Sequence, residues 1–529
     1  MKRSRLSHRT AVSLIALAAF AVRAISLDAQ SLWRDEVDAL RFATAPWPEM
    51  LANFTRPGRN GPLYFLLLRG WVVLTGMSEY ALRFFSLLFG VLAVPLIYVL
   101  GCRLLNRPAG LAAALLVATS PYLVWYGQEV KMYTLVTALV VLAVYSLRRA
   151  VTGGTARWWA AMVVATSLAF YLHILAALLV PVLVLLYCAW WPQARRHWPG
   201  ALISLACLTL PYLPLARWQV PLVFQARETG FGRHTLGEMA LILLNGWSTG
   251  ITGWGGLWSA LLMAALAGLS PLSPPPSPPL SLVCGGKGRV AGEGIGGLLT
   301  WLLFPLLAVW FISLRQPLFT DRYLIWSAPA FYLLIGAGLA SLWRLDGWRR
   351  WLALALVIGI LASHSVNLYL QATRPIKSDF RAAAAYVANY RSPAPPPVAV
   401  PRPVPGTGHF RLYLPLVLAD YATFEGLIIF HIPYAKHSFD YYFPIEGYSW
   451  AEGPYTNWRA SDGAYLVSAA DVARQMQALT AGYDTVWLIA TETAMWDERG
   501  LVKAWLDANM RLEAEAGFQY VEVYRYVGD

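Results

Sequence analysis

Charge is scarce in this 529-residue chain, with only 13% of residues Asp, Glu, Lys or Arg. That is about half the share in a soluble globular protein. The deficit is concentrated in long apolar runs, and 57% of the residues are hydrophobic, which excludes an ordinary water-soluble fold. Cysteine is equally sparse. Cys102, Cys188, Cys207 and Cys284 sit in or beside apolar runs with no CxxC pair, so neither a disulfide framework nor a cysteine metal site is indicated. No HExxH, GxSxG, Walker A or GxGxxG motif occurs in usable context, and soluble nucleotide-dependent chemistry has no support. The net charge of +13 does not point to nucleic acid, because the basic residues fall between apolar runs rather than on one soluble face.

What is present is a series of eleven apolar runs, near 10–27, 80–102, 108–126, 132–148, 157–173, 175–191, 200–217, 255–272, 296–313, 323–343 and 351–370. Each is near the roughly 20 residues that cross a hydrocarbon core, although several run short. The first begins after Lys2, Arg3, Arg5 and Arg9 and ends in Leu27-Asp28-Ala29-Gln30. It is too long for a signal-peptide core and lacks a small-residue cleavage site, so it reads as an uncleaved span. The stretch from Pro62 to Thr75 is shorter and contains Arg69, which suits a helix lying in the interface.

With the N-terminus in the cytoplasm, the inner segments carry 16 basic residues against two acidic ones, Glu293 and Asp346. The opposite loops hold most of the acids, among them Asp28, Asp35, Glu36, Asp38 and Glu129. The positive-inside rule therefore orients a multi-pass plasma-membrane protein whose segment after residue 370 is extracytoplasmic. That segment mixes strand-like runs, such as 485–489 and 520–523, with helix-like stretches at 378–390 and 499–509. The expected architecture is an α-helical polytopic membrane domain, 1–370, followed by a small α/β domain, 371–529. Two low-complexity stretches interrupt it: Ser270 to Gly297 reads as a flexible inner loop, and Ser392 to Gly408 as an extended Pro-rich insert.

The candidate chemistry lies in the outward loops. Ser31-Leu32-Trp33-Arg34-Asp35-Glu36-Val37-Asp38 places three carboxylates in four residues just beyond the first span. An acidic loop is more often a solvated one, yet Asp35 at the membrane surface could deprotonate a hydroxyl brought within hydrogen-bond reach. On a helical turn Asp35 and Asp38 share a face while Glu36 is rotated about 100° away. The short connection Trp125 to Tyr133 forces Gln128, Glu129 and Lys131 to one end of the bundle, where a plain polar hairpin is the bland alternative. Arg322 and Tyr323 open a late span on the outer side, against the usual charge bias. Arg322 there suits an anionic partner such as phosphate, or equally Asp321 and lipid headgroups. Arg83 inside the second span is costly to leave unpaired. His173 closes the fifth span, a position more often filled by a packed, hydrogen-bonding histidine.

Taken in order, SLWRDEVDAL, GPLYFLLLRGWVVLTGMSEYALRFFSLLFG, SPYLVWYGQEVKMYTL, YLHILAALL, DRYLIWSAPAF and SDFRAAAAYV resemble the bacterial branch of the protein O-mannosyltransferase and aminoarabinose transferase superfamily. These are C-type glycosyltransferases that use polyprenyl-phosphate sugars. The resemblance covers nearly the whole chain and is weakest over 218–297 and the Pro-rich insert. It implies Asp35, with Glu36 beside it, as the catalytic base. It implies Gln128, Glu129, Lys131 and Tyr133 in the donor pocket, together with His173, and Arg322 with Tyr323 facing the donor phosphate. Many relatives carry His-Pro-Pro or Lys-Pro-Pro where this chain has Arg59-Asn60-Gly61-Pro62. The corresponding basic contact would then be Arg59, and dependence on a divalent metal stays open. The expected partners are a polyprenyl-phosphate-linked sugar donor, a protein, lipid or glycan acceptor, and membrane lipids. A flippase or transporter would show paired broken helices in repeat halves, which are absent from the pattern. A lipid-linked glycan ligase or polymerase would share the outward site but not this motif order.

Overall fold

A computed structural model describes residues 7–54, 61–224, 231–269, 291–345, 347–390, 424–460 and 462–528. The chain divides into two compact units, one formed by 1–29 and 39–374, the other by 30–38 and 375–529. Arg59, most of the Ser270–Gly297 loop and the Ser392–Gly408 insert lie outside the described residues.

The first unit is a helical membrane domain, as its apolar runs require. In their described residues, all eleven expected runs are mostly helical. Among the described residues, however, six helices are long and apolar enough to cross a membrane: Glu79–Leu104, Tyr133–Gly153, Arg195–Arg217, Gly294–Ser313, Asp321–Arg344 and Trp348–Thr373. The bent pair Arg107–Thr119 and Pro121–Gly127 makes a seventh if it is one span. Leu63–Thr75, Ala156–Leu172, Ile174–Ala189 and Gly256–Gly268 are shorter apolar helices. A helix of 17 residues reaches about 26 Å, under the roughly 30 Å of a typical hydrocarbon core.

Two local readings need correction. Residues 291–297, read as the Gly-rich end of a loop, open the helix Ala291–Ser313, because the apolar run that follows carries the helical pattern back through them. A further helix, Leu236–Thr249, fills a stretch assigned no element; it starts on a capping box in which the Thr235 side chain and Glu238 bond each other's backbone. Helices approach closely where side chains are absent. A Cβ on Gly101 would lie 2.6 Å from the Gly110 Cα, so this pair lets Glu79–Leu104 and Arg107–Thr119 touch backbone to backbone.

The second unit is a three-layer α/β fold. Strands β1 (Leu427–Phe430), β2 (Ser449–Glu452), β3 (Thr485–Ala490), β4 (Arg511–Phe518) and β5 (Val521–Val527) form one sheet in the order β2-β1-β3-β5-β4. The first three are parallel, and β5 pairs antiparallel with both β3 and β4. All four residues of β1 are buried, as expected of a central strand with helices on both faces. Ile428 and Phe430 pack with Phe380, Ala383 and Val387 of helix Phe380–Asn389. Leu427 and Ile429 face Val472, Met476, Val502 and Leu506 on the other side.

One buried polar node ties this unit together beyond the carboxyl ends of β1 and β3. Asp497 accepts from the Thr456 hydroxyl at 2.6 Å and from the Val502 N–H at 2.9 Å, and His431 Nε2 lies 3.5 Å from its Oδ2. Burial pushes the Asp497 carboxyl up, but these contacts and the Leu501 N–H outweigh it and hold the pKa at about 2. A carboxyl depressed below its ordinary value of about 3.9 stabilises the fold above that pH and loses its contribution as pH falls towards 2. Asp497→Asn should therefore cost about 1–3 kcal/mol at neutral pH, with the gap to wild type closing between about pH 4 and 2. Unfolding of the full chain followed across that range would test this, and a gap constant with pH would count against it.

Candidate functional site

The membrane unit gathers its candidate residues where the Pro121–Gly127 helix meets the start of Asp321–Arg344. Pro121 has no N–H to offer the Val117 carbonyl four residues back, and the two helices meet at a bend of 55°. Ser120 caps the second helix at the Leu123 N–H, and its hydroxyl lies 2.6 Å from that of Tyr332. Arg23, fully buried in the first helix, closes the break. Its guanidinium donates to the Val117 and Ala118 carbonyls at 3.0 and 2.8 Å. Gly90 and Gly127 leave room for it, since a Cβ there would sit 3.1 and 3.3 Å from its Nε.

The bend presents two tyrosines to Asp321. Tyr122 donates to the Asp321 carbonyl at 2.9 Å, and the Tyr126 hydroxyl reaches both carboxylate oxygens at 3.4 and 3.3 Å. Thr320 adds a third hydroxyl at 3.3 Å. From Tyr126 a chain of ring contacts runs to Tyr133 at 5.3 Å, then His173 at 6.3 Å, then Tyr323 at 5.1 Å, measured between ring centres. Tyr126, Tyr133 and His173 are buried, whereas Asp321, Arg322 and Tyr323 remain partly accessible. The His173 Nδ1 has no hydrogen-bond partner among the described residues. Arg322 is the second residue of a 3₁₀ turn, Asp321–Ser327, that carries Tyr323 of this row of rings. The arrangement offers a cation, hydroxyl donors and aromatic faces together, which suits an anionic, sugar-bearing ligand.

Other candidates serve the backbone. Gln128 Nε2 donates to the Arg23 and Ile25 carbonyls, each at 3.0 Å, and buried Arg83 donates to the Leu27 carbonyl at 2.8 Å. Both thereby hold the end of the first helix. Glu129 is fully buried and Lys131 half-buried. The Lys131 carbonyl accepts from Ser86 at 3.0 Å.

Asp35 and Glu36 belong to the second unit, in the first turn of helix Arg34–Thr44. Their environments differ. The Glu36 side chain is fully buried and accepts from Lys377 Nζ at 2.8 Å, while Asp35 and Asp38 keep partial exposure. Glu36 Oε2 also receives the Trp33 N–H at 3.4 Å. Arg34 lies 3.6 Å from the ring centre of Tyr434. Among the described residues, no three or more His, Cys, Asp or Glu side chains stand together as metal ligands.

The sequence reading passed over Arg23, Tyr122, Tyr126, Asp321 as an acceptor, and Lys377. Arg23 carried a signal, because a charge inside a span calls for a partner. Lys377 is one lysine in a polar stretch, and nothing local marks it.

Residues 57–217 match the model of the dolichyl-phosphate-mannose-protein mannosyltransferase family. No curated protein matches the chain by sequence. ArnT from Cupriavidus metallidurans, solved in the apo state and bound to undecaprenyl phosphate, resembles it with a TM-score of 0.54 and 13% identity over 97% of both chains. The apo oligosaccharyltransferase of Archaeoglobus fulgidus resembles it with a TM-score of 0.51 and 12% identity, over 95% of this chain and 71% of that one. At such identities the likeness is one of fold. The chain has the fold of the C-type glycosyltransferases, and the resemblance read from its motifs is borne out.

If Arg23 supports the bend, Arg23→Leu strands two buried carbonyls at about 1–3 kcal/mol each. Thermal unfolding in detergent should then fall by several degrees, with Gly90→Ala, which crowds the same guanidinium, shifting it less. A melting temperature unchanged in Arg23→Leu would remove the role.

Proposed function

We propose that this chain, which has the C-type glycosyltransferase fold, is a membrane glycosyltransferase that moves a sugar from a polyprenyl-phosphate donor to an acceptor hydroxyl on the extracytoplasmic side. The observation that carries the reading is the row Tyr126, Tyr133, His173 and Tyr323 beside Asp321 and Arg322, in a fold shared with a protein that binds undecaprenyl phosphate. A long lipid tail keeps such a donor in the bilayer, so its sugar phosphate meets the protein at the interface.

The acceptor oxygen attacks the anomeric carbon as the bond from that carbon to the phosphate oxygen breaks. Polyprenyl phosphate leaves with the bonding electrons, and a single displacement inverts the anomeric centre. Asp35 accepts the acceptor's proton. Arg322 and Lys131 offset charge on the departing phosphate, and His173, Tyr133 and Tyr323 line the sugar phosphate. Glu36, buried against Lys377, is poorly placed to exchange a proton, which favours Asp35 as the base.

Two variants separate binding from chemistry. Arg322→Ala should weaken binding of a sugar-free polyprenyl phosphate tens-fold, since truncating one member of a desolvated charge pair costs about 2–5 kcal/mol. Asp35→Asn should leave that binding intact and lower turnover by about 10²–10⁴, with Glu36→Gln doing less. Near-normal transfer by Asp35→Asn would rule that carboxylate out, and unchanged binding by Arg322→Ala would dismiss the phosphate contact. The orientation has its own check: reporters fused after Arg196 and at Asp529 should read as cytoplasmic and external respectively. A cytoplasmic Asp529 would overturn the sidedness.

A further inference from the structure

The segment 30–38, whose last five residues begin helix Arg34–Thr44, groups with 375–529, more than 330 residues away in sequence. Its attachment is specific. The Gln30 side-chain carbonyl accepts the N–H groups of Ile376 and Lys377 at 2.9 and 3.0 Å. Ser31 donates to the Ser378 carbonyl at 2.6 Å, and the Leu32 N–H donates to the Tyr442 hydroxyl at 2.6 Å. The Glu36–Lys377 pair then closes the set, with side-chain exposures of 0% and 5%, and Lys377 Nζ lies 5.8 Å from the Trp33 ring centre.

Burying two charges costs several kcal/mol per ion before their attraction offsets it. A segment that merely needed covering would be held as well by apolar contacts. An ion pair of this kind is instead directional, because losing its geometry strands a buried charge. Glu36 is also the residue whose N–H closes the first turn of its helix on the Trp33 carbonyl at 2.9 Å, so its side chain and backbone together fix the turn that carries Asp35.

We infer that Lys377 is a positioning residue for transfer: through Glu36 it locks the helical turn bearing Asp35, so the α/β unit holds the segment that takes the acceptor's proton. The inference rests on Asp35 being the base, as argued above.

The test uses the full chain in lipid nanodiscs, with amide hydrogen exchange and steady-state kinetics read on the same variants. Lys377→Met should raise exchange of the amides at 31–38 at least ten-fold while β1 and β3 keep wild-type protection. In the same protein kcat should fall by ten-fold or more, with KM for the donor within two-fold. Lys377→Arg, which keeps the cation, should restore most of both. Glu36→Gln, milder and shape-conserving, should move exchange and kcat in the same direction if Lys377→Met proves too unstable to purify. Unchanged exchange at 31–38 would overturn the lock, as would an increase spread evenly over the sheet. Raised exchange with unchanged kcat would overturn the positioning role. The two readings fail separately: transfer surviving in Asp35→Asn refutes the base, while the exchange measurement still reports on the lock.

Discussion

The candidate site in the membrane unit depends on how a broken helix is satisfied in a place without water. Pro121 frees a carbonyl that no solvent can reach, and an unpaired buried carbonyl is expensive. Arg23 answers it from another helix, with two guanidinium hydrogen bonds to Val117 and Ala118. The charge costs something to bury, but without it the Val117 and Ala118 carbonyls would lose these donors. Several features follow from that one contact: the glycines at 90 and 127, the Gln128 side chain that grips the Arg23 carbonyl, and the access of two tyrosine hydroxyls to Asp321.

The two units use the same economy of polar groups in different settings. In the helical unit, Arg23, Gln128 and Arg83 all donate to main-chain carbonyls near helix ends, which secures backbone geometry. In the α/β unit, carboxylates do the organising. Asp497 collects donors from a hydroxyl and from the start of helix Leu501–Asn509, and Glu36 takes an ammonium. The Asp497 carboxyl, held at about 2, is ionised at neutral pH, so the fold of this unit is tied to pH through it.

Much of this was readable from the residues, for identifiable reasons. Hydropathy located every long helix because lipid leaves few alternatives, and among the parallel strands β3 announced itself through its continuous apolar run, Thr485–Ala490. Candidate residues emerged wherever a polar group broke a strong pattern, as at Arg83, Lys131 and Arg322. Helix Leu236–Thr249 escaped notice because its signal was a capping box before a modest apolar run. Lys377 and the fate of segment 30–38 were out of reach for a different reason. Local sequence has no means of saying that nine residues, the last five of them the start of a helix, belong to a domain that begins hundreds of positions later.

That separation bears on how the protein is made. The Glu36–Lys377 contact spans 341 positions, and at about 5–20 residues per second the ribosome needs tens of seconds to travel that far. Throughout that interval the Glu36 carboxylate must stay hydrated, so the loop cannot settle early into an apolar niche. The segment is therefore among the last parts of the molecule to acquire its native surroundings, and a nascent chain carries its acidic turn in an unlocked form until synthesis is nearly complete.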